Sequence, residues 1–122
     1  MRPKKKKIMF VENDRYIVNI IKDLLEMNNF EVTLSSRSTE ALEMIQSQPG
    51  NFDIVVSALN LLNLDGLELA KAIHNVKADM PFILCTRDNS IDEDEIKNLD
   101  IVKEIFVKPF SLVDFMKTIV TC

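Results

Sequence analysis

Cysteine is scarce in this 122-residue chain: Cys85 lies inside an apolar run and Cys122 is the last residue. Two such positions make no disulfide framework and read as reduced thiols, which suits a cytoplasmic protein. Long apolar runs are missing as well. None approaches the roughly 18 residues that span a bilayer. No apolar segment backs the basic N-terminus, so neither a membrane contact nor a secretory signal is expected. Glycine is limited to two residues, and the loop Glu12-Asn13-Asp14 after the first apolar run has none. A glycine-free acidic loop is poorly suited to cradle a nucleotide phosphate, which weighs against a small-ligand binder of flavodoxin-like shape. The single histidine, His74, falls in a helical stretch and reads as an ordinary helix residue. The six methionines are scattered and read as filler.

Acid is absent from the first seven residues, where Arg2 and Lys4 to Lys7 supply five of the 15 basic groups. Residues 8–122 then hold ten basic against 19 acidic groups, a formal net charge of −9. We therefore read residues 1–7 as a solvated basic arm and 8–122 as one domain with a single core. An acidic body repels nucleic-acid phosphates, so no direct nucleic-acid binding by this domain is expected.

Short apolar runs alternate with helical patterns. Ile8–Val11, Phe30–Leu34, Asp53–Val56, Phe82–Cys85 and Ile105–Val107 read as five strands. Most are apolar without strict alternation, as when helices cover both faces of a parallel sheet. The first helix carries Ile17, Ile20, Ile21, Leu24 and Leu25 on one stripe, with Asn13 or Asp14 as its cap. The second runs over about Ser38–Gln48, capped by Ser38, with Ala41, Leu42 and Ile45 inward. The third follows Asp65-Gly66 with Leu69, Ile73 and Val76 on one face. The fourth, about Ser90–Leu99, is poor in apolar residues and opens on acids that suit a helix dipole. The fifth starts near Ser111 with Leu112, Phe115, Met116, Ile119 and Val120 inward. This layout predicts a flavodoxin-like, doubly wound α/β domain with a five-stranded parallel sheet of order 2-1-3-4-5. That order opens a crevice where the carboxyl ends of strands 1 and 3 diverge.

The residues at the strand ends are Glu12-Asn13-Asp14, then Ser57 to Asn60, then Thr86, then Lys108-Pro109-Phe110. Acids facing a hydroxyl and a lysine suit a divalent cation and a phosphoryl group. Taken singly, each residue has a plain reading. Thr86 is a β-branched strand residue, Lys108 a surface lysine, Glu12 and Asp14 an acidic first turn, and Asp65-Gly66 a turn signal. Their joint occurrence at the ends of these strands is the informative observation.

In this constellation the chain resembles the receiver domain of bacterial two-component response regulators, of the chemotaxis-receiver type, over Lys7 to Val120. The resemblance implies a phosphorelay signalling module rather than an enzyme. It places an acidic pair that holds Mg²⁺ at Glu12 and Asn13, with Asn60 as a further vestige of that metal site. It matches Thr86 to the family's Ser/Thr after strand 4, Lys108 and Pro109 to its lysine-proline pair, and Asp65-Gly66 to its helix-3 entrance. Counting back from that entrance, the aspartate that accepts the phosphoryl group from a histidine kinase falls on Ala58. The resemblance also implies a cis Lys108-Pro109 bond.

The departures are several. Ala58 bears a methyl and forms no acyl phosphate. Asn13 removes one metal carboxylate, and Glu12 lengthens the other. Leu62 replaces the usual loop proline, and Ile105 stands where the family has an aromatic. No resident cofactor is expected, and Mg²⁺ should bind weakly or not at all. Asp53 lies roughly 15 Å from the crevice at about 3.3 Å per residue, and Ser57 should face the other side of the sheet. Lys108 is expected to pair with Glu12 or Asp14. The resulting expectation is a pseudo-receiver that acts by contact with a protein: a histidine kinase, an output domain, another receiver or a second copy. The contact is expected through the helix 4–strand 5–helix 5 face with Ile101 and Ile105. The alternatives are phosphorylation at an atypical acid and a small-ligand module.

Overall fold

The computed structural model describes residues 5–87 and 91–122. Every apolar run forms a strand: β1 Lys7–Val11, β2 Glu31–Ser35, β3 Ile54–Ala58, β4 Phe82–Thr86 and β5 Glu104–Val107. The helices between and after them are α1 Arg15–Met27, α2 Ser38–Ser47, α3 Gly66–Val76, α4 Glu93–Asn98 and α5 Leu112–Thr121. All strand pairs are parallel, in the order β2-β1-β3-β4-β5. The register sets Val11 beside Ser57, Ala58 beside Cys85, and Thr86 beside Val107. The residues that end β1, β3, β4 and β5 therefore lie along one edge of the sheet.

Strand alternation divides the core in two. Met9, Val11, Val55, Leu84 and Ile105 pack with Ala41, Ile45, Leu69, Ile73 and Ile96 under α2, α3 and α4. Ile8, Phe10, Ile54, Val56, Ile83 and Cys85 pack with Ile21, Leu25, Phe115 and Ile119 under α1 and α5. Phe106, Phe110 and Phe115 cluster beside the second group, with ring centroids 5.2–5.6 Å apart. By the same parity Ser57 goes with Val55, on the side opposite Ala58, and is fully buried.

Several local expectations are corrected. Ile20, Leu112 and Val120 are exposed, because Ile21 and Leu25 of α1 and Phe115 and Ile119 of α5 already fill the groove against the sheet. A helix lying on a sheet buries only one stripe. Ile105, expected on a partner face, is only 6% exposed and belongs to the core under α4; β5 alternation turns it inward. Ile101 is partly buried against the same cluster. Ser38 does not cap α2. Arg37 occupies that position without a side-chain bond, and Ser38 is the first helical residue. The basic arm ends before Lys7, which opens β1 and donates its backbone N–H to Asp53 Oδ2 at 2.7 Å. Residues 1–4 of that arm lie outside the described residues, as does Ser90 at the expected start of α4. Asp92 caps α4, accepting from the Glu95 N–H at 3.0 Å. Lys97 of α4 holds Glu104 of β5 at 2.9 Å.

Candidate functional site

The crevice at the carboxyl edge encloses about 350 Å³. Ala58, the last residue of β3, lines it and is 5% exposed. Around the methyl stand Glu12, Asn13 and Asp14 after β1, Asn60 after β3, Thr86 and Arg87 at the end of β4, and Lys108 after β5. The sheet order and register bring these sequence-distant residues together.

Lys108 is paired with Glu12. Its Nζ donates to Glu12 Oε2 at 2.8 Å, with the two side chains only 10% and 3% exposed. The other oxygen, Oε1, accepts the backbone N–H groups of Asn13 and Asp14 at 3.1 and 3.2 Å. Burying this carboxylate is tolerable because every acceptor has a donor. Asp14 does separate work. Its Oδ1 accepts from the Tyr16 and Ile17 N–H groups as the cap of α1, and its Oδ2 pairs with Arg87. The sequence left Lys108 two partners; the structure selects Glu12, because Asp14 is turned to the helix it caps. Arg87 was missed in the sequence. Its place after Thr86 was visible there, but its reach across the crevice to β1's loop was not.

The β3–α3 loop is held close over the site. Asp65 and Glu68 form a reciprocal capping box at the start of α3. The Gly66 N–H donates to Leu59 O at 2.7 Å. A Cβ on Gly66 would lie 2.2 Å from the Ala58 carbonyl oxygen and 2.8 Å from Leu59 Cα, so the close approach needs a glycine. From α2, Ser38 Oγ donates to Leu62 O at 3.0 Å and accepts the Leu64 N–H at 3.2 Å. This buried hydroxyl, expected as a helix cap, instead clamps the loop. The β5–α5 loop turns through a cis Lys108-Pro109 bond. Cys85 lies beside Ala58 at the crevice floor; burial pushes its thiol up to about 12, more than the nearby Lys108 charge lowers it.

Comparison with known proteins agrees with this geometry. The family model for the response regulator receiver domain matches residues 8–120. The chain belongs to that family. Among curated relatives, the receiver is 30% identical over 115 residues to regulatory protein VirG of Rhizobium radiobacter, covering 93% of this chain and 42% of that protein. It is 30% identical over 111 residues to response regulator MprA of Mycobacterium ulcerans, covering 90% and 47%. The chain thus spans less than half the length of these two relatives. A receiver domain from Clostridium thermocellum superposes with a TM-score of 0.86 at 25% identity, over 95% of this chain and 92% of that one. Response regulator TrrA of Thermotoga maritima, solved with Mg²⁺-BeF, superposes at 0.83 and 26% identity, over 95% and 97%.

The receiver fold implies a Mg²⁺ site beside Ala58, and the side chains present fit that ion poorly. Mg²⁺ wants near-octahedral oxygen ligands, including carboxylate, at about 2.0–2.1 Å. Glu12 already satisfies an ammonium and two N–H groups, Asp14 a guanidinium and a helix N-terminus. Position 58 offers no side-chain oxygen. Among the described residues no group of three or more His, Cys, Asp or Glu converges as a metal site.

Proposed function

We propose that this receiver works without phosphoryl transfer, as a binding module of two-component signalling held in one state. The observation that carries the reading is Ala58 at the end of β3, facing a crevice whose lysine is already neutralised by Glu12. An acyl phosphate needs a carboxylate there. No described acid replaces it: Asp53 binds Lys7 at the opposite end of β3, Asp65 caps α3, and Asp14 caps α1. With no acceptor and no suitable ligand set, Mg²⁺ binding is weak or absent and the domain is no enzyme.

The buried Lys108–Glu12 pair and the Ser38 clamp support a fixed arrangement of the loops. A fixed state still regulates when a partner prefers it, because binding needs complementarity and not a switch. The partner is a protein of the same signalling class: a histidine kinase, an output domain, another receiver or a second copy. Exposed apolar side chains on α5 (Leu112, Val113 and Val120) supply contact surface. Incubation with acetyl phosphate and Mg²⁺ followed by intact-mass measurement tests the central claim. No phosphoryl mass should appear; a gain would overturn it. Light scattering over a concentration series tests the second-copy variant, which a strict monomer removes.

A further inference from the structure

We propose that the crevice is a receptor for a small free carboxylate, which takes the space left by the methyl of Ala58. The inference rests on the reading that this position no longer carries its own acid, and it assigns a ligand to the same crevice. The volume, about 350 Å³, is at the small end of ligand pockets, which run roughly 300–1,000 Å³. Its lining offers two cations, Lys108 and Arg87, and two carboxamides, Asn13 and Asn60, around an apolar floor of Ala58 and Cys85.

Charge selects the class of ligand. The lining groups Glu12 and Asp14 balance Arg87 and Lys108, so the crevice is neutral. One bound carboxylate leaves a single negative charge, the balance an aspartate at position 58 would give. A phosphate dianion leaves two, without a metal set to offset them. Residues 8–122 carry a formal −9, which repels polyanions and acidic protein segments more strongly than a small monoanion.

Arg87 supplies the means of capture. Its side chain is 70% exposed, and a pair so exposed is held by roughly 0–1 kcal/mol. A guanidinium matches a carboxylate with two parallel bonds, so Arg87 can exchange Asp14 for the ligand. Asp14 is not abandoned in that exchange, since its Oδ1 keeps the N–H groups of Tyr16 and Ile17. Lys108 keeps Glu12 and has further ammonium protons to donate.

Amide chemical-shift titration of the chain with sodium acetate tests this, with sodium chloride and inorganic phosphate at matched ionic strength. Acetate should saturate, with a dissociation constant on the order of millimolar, and shift Ala58, Asn60, Arg87 and Lys108. Phosphate should bind more weakly and chloride not at all. Ala58→Asp, which fills the space with its own carboxylate, should weaken acetate by about tenfold or more. Arg87→Gln should weaken it several-fold, and it decides the matter if Ala58→Asp fails to fold. Acetate shifts no larger than those of chloride, or binding unchanged in the folded variants, would overturn the proposal. A phosphoryl mass gain in the acetyl phosphate experiment would instead remove the reading of lost phosphoryl chemistry while leaving the acetate result standing.

Discussion

Lys108 and Glu12, 96 residues apart in the chain, meet at 2.8 Å in the wall of a crevice to which β3 contributes no acid. The pair joins the loop after β5 to the loop after β1. Its environment is dry enough that neither charge is readily compensated by solvent.

Removing the cation should therefore be costly. Lys108→Met leaves Glu12 buried without its counter-charge, an effect of about 3–5 kcal/mol. The double variant Glu12→Gln/Lys108→Met should recover much of that loss, because no isolated charge remains. Urea denaturation of the single and double variants measures both, and a double variant no more stable than Lys108→Met would contradict the account.

Gly66→Ala should destabilise the domain and displace the β3–α3 loop. The added carbon meets the Ala58 carbonyl oxygen at 2.2 Å, and that backbone is fixed within the sheet. Overpacking of this kind costs about 1–3 kcal/mol or more. Denaturant midpoints and amide shifts over residues 58–66 would record it, whereas Gly50→Ala, with open space around it, should leave both nearly unchanged.

Ser38→Ala should loosen the same loop from the other side. It leaves the Leu64 N–H without its acceptor and costs about 1–3 kcal/mol. Faster hydrogen exchange at Leu64 is the specific sign; Ser36→Ala, exposed in the preceding turn, serves as the control.

Cys85 makes an alkaline prediction. Burial raises its thiol from an ordinary value of 9.0 to about 12, so the folded chain keeps a proton that the unfolded chain releases. This contribution is fully present below pH 9.0 and is lost as pH rises through that window toward about 12. The slope approaches about 1.4 kcal/mol per pH unit. Cys85→Ala should be less stable at neutral pH through its cavity, yet lose stability less steeply above pH 9.0. Melting temperatures of the two chains from pH 8 to 10.5 compare the slopes, and parallel curves would count against a buried neutral thiol.

Much of this was legible along the chain. Apolar runs separated by helical stripes determined five strands, five helices and a parallel sheet, because burial on both faces leaves a strand no polar alternation. The signals at Asn13-Asp14 and at Asp65-Gly66 are local: α1 starts at the first with Asp14 as the cap of the two candidates, and α3 starts at the second. The absence of an acid at position 58 was equally plain, since a methyl is read directly from the sequence. Tertiary structure decided the rest. Periodicity marks apolar residues without saying how wide a stripe the sheet can cover, so Ile20, Leu112 and Val120 remained outside while Ile105 turned in. Only the spatial order of the strands chose Glu12 over Asp14 for Lys108, sent Arg87 across the crevice, and converted Ser38 from an expected cap into a loop clamp. Those choices depend on distances between segments remote in sequence, which packing sets and local propensity does not encode.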